Sequence, residues 1–245
     1  MEPSGATWQA TNIAWPAGWH VEVVAETGST NADLLAAADA GAPDRSVLVA
    51  AHQTAGRGRL DRRWEAPSGA NLLVSLLFRR VPDHVHQLTQ RVALAAAAAA
   101  AQTAGVQAEL KWPNDLLVDG AKLAGVLAQS AGTPGSAGFV VVVGIGINVG
   151  WAPEGAARIG DGVHPLEVLA ALLAAYDQLP VDITPLYRER LATLGREVRV
   201  ERAGAALEGR AIDVEADGRL VVLDDCAVSH RVDTGDVVHL RPRGG

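Results

Sequence analysis

The chain has almost no cysteine, no secretory leader pattern, no strongly apolar run of membrane length and no excess of basic charge. Each absence removes a class of protein. Cys226 is the one cysteine in 245 residues, so no internal disulfide framework exists to staple the fold. The N-terminus lacks both a basic n-region and an uninterrupted apolar h-region, and with the cysteine usage this predicts a cytoplasmic protein. The most apolar run, VALAAAAAAAQTAG at 92–105, is alanine-dominated and far short of the roughly 20 strongly apolar residues of a membrane span. Alanine's helix propensity makes it a closely packed soluble helix instead, and no membrane partner is expected. Lys and Arg number 21 against 28 Asp and Glu, for a net charge of -7. With a pI near 5.5 the chain has no general affinity for duplex nucleic acid, which normally meets a basic face. Internal repeats are absent too, as is any long low-complexity linker apart from the alanine run.

What is present is an ordinary soluble composition, 49% hydrophobic and 20% charged, enough for one large domain with a small appendage. Apolar patterning predicts strands at 21–25 and 46–52 with a helix opening at Ser29-Thr30-Asn31 between them, then a strand at 71–78 and a long helix at 84–104. A strand pair is expected over 108–130, turned at Asp119-Gly120, followed by a buried strand over 138–150. Helices are expected at 165–178, with Pro165 at its first position, and at 184–194. From Gly195 the texture changes to short alternating strands, with Asp217-Gly218 as a further hairpin turn, as in a small barrel.

Four stretches carry chemistry. TAGRGRLDRRW at 54–64 gathers Arg57, Arg59, Arg62 and Arg63 around Gly56 and Gly58, a segment without hydrophobic periodicity. Guanidinium forks on a mobile backbone suit an anionic ligand, and a solvated basic turn has the same composition. Lys111-Trp112-Pro113-Asn114-Asp115 is followed by Lys122-Leu123-Ala124-Gly125. Pro113 breaks a strand at a functional edge, where Lys111, Lys122 and Asp115 converge or simply pair across a hairpin. Lys122, flanked by apolar residues, needs an anionic partner. Gly144-Ile145-Gly146-Ile147-Asn148 ends a valine run and is not spaced as a dinucleotide fingerprint. Its glycines permit either tight strand packing or the approach of a flat ligand. Ser29-Thr30-Asn31, with Asp33 in the next turn, has the form of a helix cap.

In this order the four stretches resemble the biotin-protein ligases, the match running from Gly28-Ser29-Thr30-Asn31 through Gln53 and the arginine segment to Asn148. The resemblance implies an α+β fold: a mixed β-sheet catalytic domain with flanking helices, of the class II aminoacyl-tRNA synthetase and biotin ligase type, over 1–194, and an SH3-like β-barrel over 195–245. It implies ATP and biotin as substrates with Mg2+, formation of biotinyl-5'-AMP, and transfer of biotin to a lysine of a biotin carboxyl carrier domain of acetyl-CoA, acyl-CoA or pyruvate carboxylases. Lys122, Arg57, Arg59, Lys111 and Asp115 are its catalytic set, with Asp115 assisting the incoming amine or merely holding Lys111. Biotin falls to Ser29, Thr30, Asn31, Gln53, Gly56, Arg57, Arg59, Lys122 and Gly125, with Ser29 and Thr30 also available to cap the helix. The nucleotide falls to Arg59, Trp64, Asn114, Lys122 and Asn148, while metal ligands stay undefined. The arginine segment becomes a lid that closes on the adenylate. Fewer than 21 residues precede the first expected strand, too few for the operator-binding winged helix of many relatives, so no repressor activity and no specific DNA are expected. A monomer or a homodimer both fit. A lipoate-protein ligase shares the fold and the adenylate logic, and a non-catalytic biotin-binding module remains the alternative outside enzymes.

Overall fold

The computed structural model describes residues 13–240 apart from 137, 203, 204 and 234. The sequence extremes of both expected domains, 1–12 and 241–245, lie outside the described residues. A seven-stranded sheet organises the first part, in the order β1-β2-β3-β7-β6-β5-β4. Its strands are β1 (His20–Thr27), β2 (Ser46–Gln53), β3 (Leu72–Phe78), β4 (Glu109–Lys111), β5 (Asp115–Val118), β6 (Ala121–Ala131) and β7 (Val140–Ile147). Only β1 and β2 pair in parallel, joined by helix α1 (Thr30–Asp39), as a crossover requires. The remaining neighbours are antiparallel.

Central strands β3 and β7 run apolar without alternation because both of their faces are covered. On one face Leu34 and Ala38 of α1 meet Leu48, Leu77, Val140 and Val142. On the other, the opposite residues of the same strands, Val47, Leu76, Val141 and Val143, pack with α2 (His86–Ala104) and α3 (Pro165–Gln178). Alanines along α2 keep its side chains short, so the helix lies close to both sheet and α3. No described helix is long and apolar enough to cross a membrane.

The stretch 108–130 holds three strands rather than the expected pair. Trp112–Asn114, with a cis Trp112–Pro113 bond, makes an extra turn that sets Lys111 opposite Asp115. Asp119 and Gly120, at φ 51° and 80°, then form the expected hairpin, both in the left-handed region that a two-residue turn demands. Helix α4 (Thr184–Arg190) ends short of the expected 194 in a turn that buries Thr193.

Strands β8 (Glu197–Arg202), β9 (Ala205–Val214), β10 (Leu220–Leu223), β11 (Ser229–Val232) and β12 (Asp236–His239) form a second sheet in the order β11-β10-β9-β8-β12. Among the described residues its outer strands do not pair with each other, so the expected barrel is an open sheet here. Strands β11 and β12 are four residues each, which offers little ladder for closure. The two sheets share one core, since Val198, Val200, Ala211 and Leu220 belong to the same buried cluster as Leu110 and Trp112. Their junction is also polar: Trp112 Nε1 donates to Gly218 O at 2.9 Å, and Thr193 Oγ1 accepts Trp112 N–H at 3.0 Å and contacts His239 Nε2 at 3.2 Å. Burial first, then the Lys111 and Arg196 charges, pushes the His239 imidazole down to about 4.

Candidate active site

A cleft of about 570 Å³ opens where β2 ends at Gln53, β7 gives way to Asn148 and the KWPND turn reaches β5. Ser29, Thr30, Asn31, Gln53, Arg57, Arg59, Trp64, Lys111, Asn114, Asp115, Lys122, Gly125 and Asn148 all line it. Gly56 does not. It stands behind the wall, its carbonyl accepting Trp64 N–H at 3.1 Å, and a Cβ there would overlap the Trp64 carbonyl.

At the closed end the first turn of α1 is tied to the sheet by side chains. Thr30 N–H donates to Gln53 Oε1 at 2.7 Å, and Thr30 Oγ1 lies 2.7 Å from Ser75 Oγ and 3.1 Å from Gln53 Oε1. Asn31 Nδ2 donates to Leu127 O and Gln129 Oε1, while its Oδ1 accepts Ser75 Oγ–H at 2.6 Å. Ser29 occupies the N-cap position, its carbonyl accepting Asp33 N–H at 3.0 Å, but makes no side-chain cap bond, and the Thr30 hydroxyl is turned to the sheet. Glycine at 144 leaves the space Asn31 occupies, because a Cβ there would overlap Asn31 Oδ1.

At mid-cleft Lys122 Nζ lies 2.6 Å from Asp115 Oδ1, an oxygen that accepts no aligned hydrogen bond among the described residues. Asp115 therefore holds Lys122, not Lys111, although Lys111 is its cross-strand neighbour. The Lys111 charge acts on His239 across the junction. Trp64 slides its indole over Gly146, where any Cβ would overlap the ring, and its centroid is 5.7 Å from Lys122 Nζ. Trp64 Nε1 is buried without a partner among the described residues. Asn148, expected to face a nucleotide, is committed inward: its two amide protons go to Lys122 O and Ala157 O, and its Oδ1 accepts from Asn71 Nδ2. These bonds tie Asn148 to the strand that carries Lys122, while the residue still lines the cleft.

The arginine segment is a loop, as expected, yet a folded one. Gly58 N–H donates to Arg62 O at 2.6 Å, and Arg57 bridges Arg63, so the two arms run side by side. The tip is a short turn at Arg59–Asp61 with Leu60 at φ 54° and 67% exposed. Arg59 reaches Asn114 Oδ1 at 3.2 Å and Gly235 O at 3.3 Å, and Arg62 pairs with Asp236. The second sheet thus supplies the loop's far anchor. Burial lowers the Arg59 pKa, opposed by Asp236 and Asp115, and the group stays cationic. No group of three or more His, Cys, Asp or Glu suited to a metal occurs among the described residues.

Ser75, Gln129, Asn71 and Asp236 were not anticipated. Ser75 had a signal, being the lone polar residue in LLVSLLF, since a polar group buried in a central strand needs a partner. The partnerships of Gln129 and Asp236 depend on chain segments far away in sequence and left no such mark.

A helix-linked strand pair at the edge of a mixed sheet, a lysine–aspartate pair and an arginine loop thus meet at one open cleft. The chain belongs to the biotin/lipoate A/B protein ligase family, whose model matches residues 25–148, and a biotin protein ligase C-terminal domain model matches residues 193–240. It is 40% identical to the biotin--[acetyl-CoA-carboxylase] ligase of Mycobacterium tuberculosis over 249 residues, 91% of each chain. It is 34% identical to the Paracoccus denitrificans protein of the same name, covering 83% of this chain and 90% of that one. In fold it is similar to the biotin protein ligase of Aquifex aeolicus in complex with biotin and ATP, with a TM-score of 0.74 at 24% identity over 91% of this chain and 99% of that one.

Proposed function

We infer that the protein is an ATP-dependent biotin-protein ligase. A biotin carboxylate oxygen attacks the α-phosphorus of ATP, the P–O bond to pyrophosphate breaks, and biotinyl-5'-AMP forms. The uncharged ε-amine of a lysine on a biotin carboxyl carrier domain then attacks the acyl carbon, AMP leaves with the bonding pair, and the amine gives up a proton. The observation that carries this reading is Lys122: an ammonium held by Asp115 in the middle of the cleft, between a polar closed end and an arginine loop. A fixed cation beside the α-phosphate stabilises the charge that builds on its oxygens. Arg57 and Arg59 add forked donors from the loop, whose closure excludes water from the mixed anhydride.

Ser29, Thr30, Gln53 and Arg57 form the biotin end, while Gly56 lets the Trp64 backbone pack behind the wall and Gly125 leaves the space that Lys122 and Trp64 fill. Trp64 offers its ring to adenine, Asn114 fixes Arg59, and Asp115 orients Lys122 and receives the amine proton in the second step. Mg2+, where bound with the triphosphate, would supply charge neutralisation beside Lys122 and the loop arginines. Residues 1–194 act as the catalytic unit and 195–245 as the C-terminal unit, in the cytoplasm and without specific DNA binding, consistent with the net charge of -7. Incubation with biotin, labelled ATP, Mg2+ and a carrier domain tests the reading. Carrier biotinylation with matching pyrophosphate release is expected. Transfer of lipoate in preference to biotin, or no pyrophosphate release, would sink it.

A further inference from the structure

The hydrogen-bond chain at the closed end of the cleft has only one possible direction. Leu127 O is a carbonyl and can only accept, so the Asn31 nitrogen faces it and Asn31 Oδ1 faces Ser75. That oxygen must accept, so Ser75 spends its single proton on it at 2.6 Å. The Thr30–Ser75 contact, 2.7 Å between two hydroxyl oxygens, needs a proton as well, and only Thr30 has one left to give. Thr30 therefore turns its proton inward, to Ser75 with Gln53 Oε1 as the longer second acceptor at 3.1 Å, so that a ligand group reaching Thr30 Oγ1 from the cleft meets a lone pair. Gln53 is oriented by the same logic. Its Oε1 accepts Thr30 N–H, which leaves the Nε2 protons for a ligand.

We propose that Ser75, acting through Thr30, sets the hydrogen-bond polarity of this end of the cleft, so that Thr30 Oγ1 accepts a ring N–H of the ligand and repels a ring oxygen in the same place. Ser75 is fully buried and does not line the cleft. It is a positioning residue for specificity. The proposal rests on biotin as the substrate, whose ureido ring carries N–H groups on either side of a carbonyl. Without Ser75 the Thr30 hydroxyl keeps only the longer contact to Gln53 Oε1, its proton is held less firmly against donation into the cleft, and the distinction between N–H and oxygen weakens. A buried polar site discriminates because the wrong ligand leaves its groups unpaired.

The experiment compares kcat/KM for pyrophosphate release with biotin and with two analogues, each having one ureido N–H replaced by a ring oxygen. Wild-type protein should favour biotin over at least one analogue by about 100-fold or more. Ser75→Ala should narrow that ratio by about tenfold or more, with a raised KM for biotin and an unchanged KM for ATP. A merely structural role would weaken biotin and analogue alike and leave the ratio where it was. Ser75→Cys keeps the side-chain shape with a poor acceptor, so it should also narrow the ratio, and it decides the matter if Ser75→Ala does not fold. A folded variant with the wild-type ratio, or a wild type that takes all three compounds equally, overturns the proposal. Absence of biotin-dependent pyrophosphate release in the wild type is a separate result, which overturns the functional reading itself.

Discussion

The two ends of the cleft are built on opposite principles. At the closed end Thr30, Asn31 and Ser75 are 3%, 6% and 0% exposed and satisfy one another between a helix and three strands. At the arginine loop the side chains of Arg62 and Arg63 are 67% and 76% exposed, and the tip is tied down by an ion pair and a few carbonyl contacts. A buried network of this kind is rigid because each unmade bond costs the full desolvation of its partner. An exposed ion pair is worth little and is screened by salt. On the function proposed above, recognition of the ring would rest on the stiff end, and opening and closing on the loose one. Lys122 sits between them.

The largest effect is expected where the two ends meet. Lys122→Ala should fold, because its ammonium is partly exposed, and should lose roughly 3 kcal/mol of transition-state stabilisation, or about 100-fold in pyrophosphate release. Near-normal release by a folded variant would show that the cation is not needed between the ends. One substitution placed at both ends then tests the contrast itself. Gly144→Ala drives a Cβ into Asn31 Oδ1 and should cost about 1–3 kcal/mol in chemical denaturation. Gly58→Ala meets Arg62 O at an ordinary 3.5 Å and should stay within about 0.5 kcal/mol. Equal losses would mean that the loop is as tightly packed as the network.

Asp236→Ala removes the loop's ion-pair anchor on the second sheet and should cost no more than about 1 kcal/mol. It should nevertheless speed trypsin cleavage at Arg62 and Arg63 and shorten retention of preformed biotinyl-5'-AMP, and high salt should reproduce both effects in the wild type. Unchanged cleavage would detach the loop from the second sheet. The last effect concerns the junction behind that anchor and grows only as pH falls. His239 has an ordinary pKa of 6.5 and is pushed to about 4 in the folded protein, so the unfolded chain binds the proton more readily. Its contribution to stability is present above 6.5 and is lost as pH falls towards about 4. Midpoints of urea unfolding should decline across that window and His239→Gln should flatten the decline. A slope unaffected by the substitution would assign it to other groups.

Much of the fold was legible because period and punctuation are local. Apolar runs marked the strands at 71–78 and 138–150, Asp119-Gly120 marked a hairpin, and the alanine run marked the long helix. The extra turn at Trp112–Asn114 was hidden because β4 is three residues long, too short for alternation to register. Ser29-Thr30-Asn31 has the composition of a cap, and only the presence of Gln53 and Ser75 nearby turns Thr30 away from that role. The resemblance assigned Asn148 to the nucleotide, and its local sequence carried no sign of which partners its amide would find. The fold spends that amide on Lys122 O, Ala157 O and Asn71.

Residue order alone determined the secondary elements, the family resemblance and the residue types gathered at the cleft, since each follows from short-range pattern and side-chain chemistry. Tertiary structure decided the pairings. Asp115 took Lys122 instead of its ladder neighbour Lys111, Arg62 found Asp236 across 174 residues, and Ser75 came to direct the proton of Thr30. Hydrogen bonds and ion pairs depend on distances of a few tenths of an ångström and on which atoms are already committed, and neither is defined until the chain has packed.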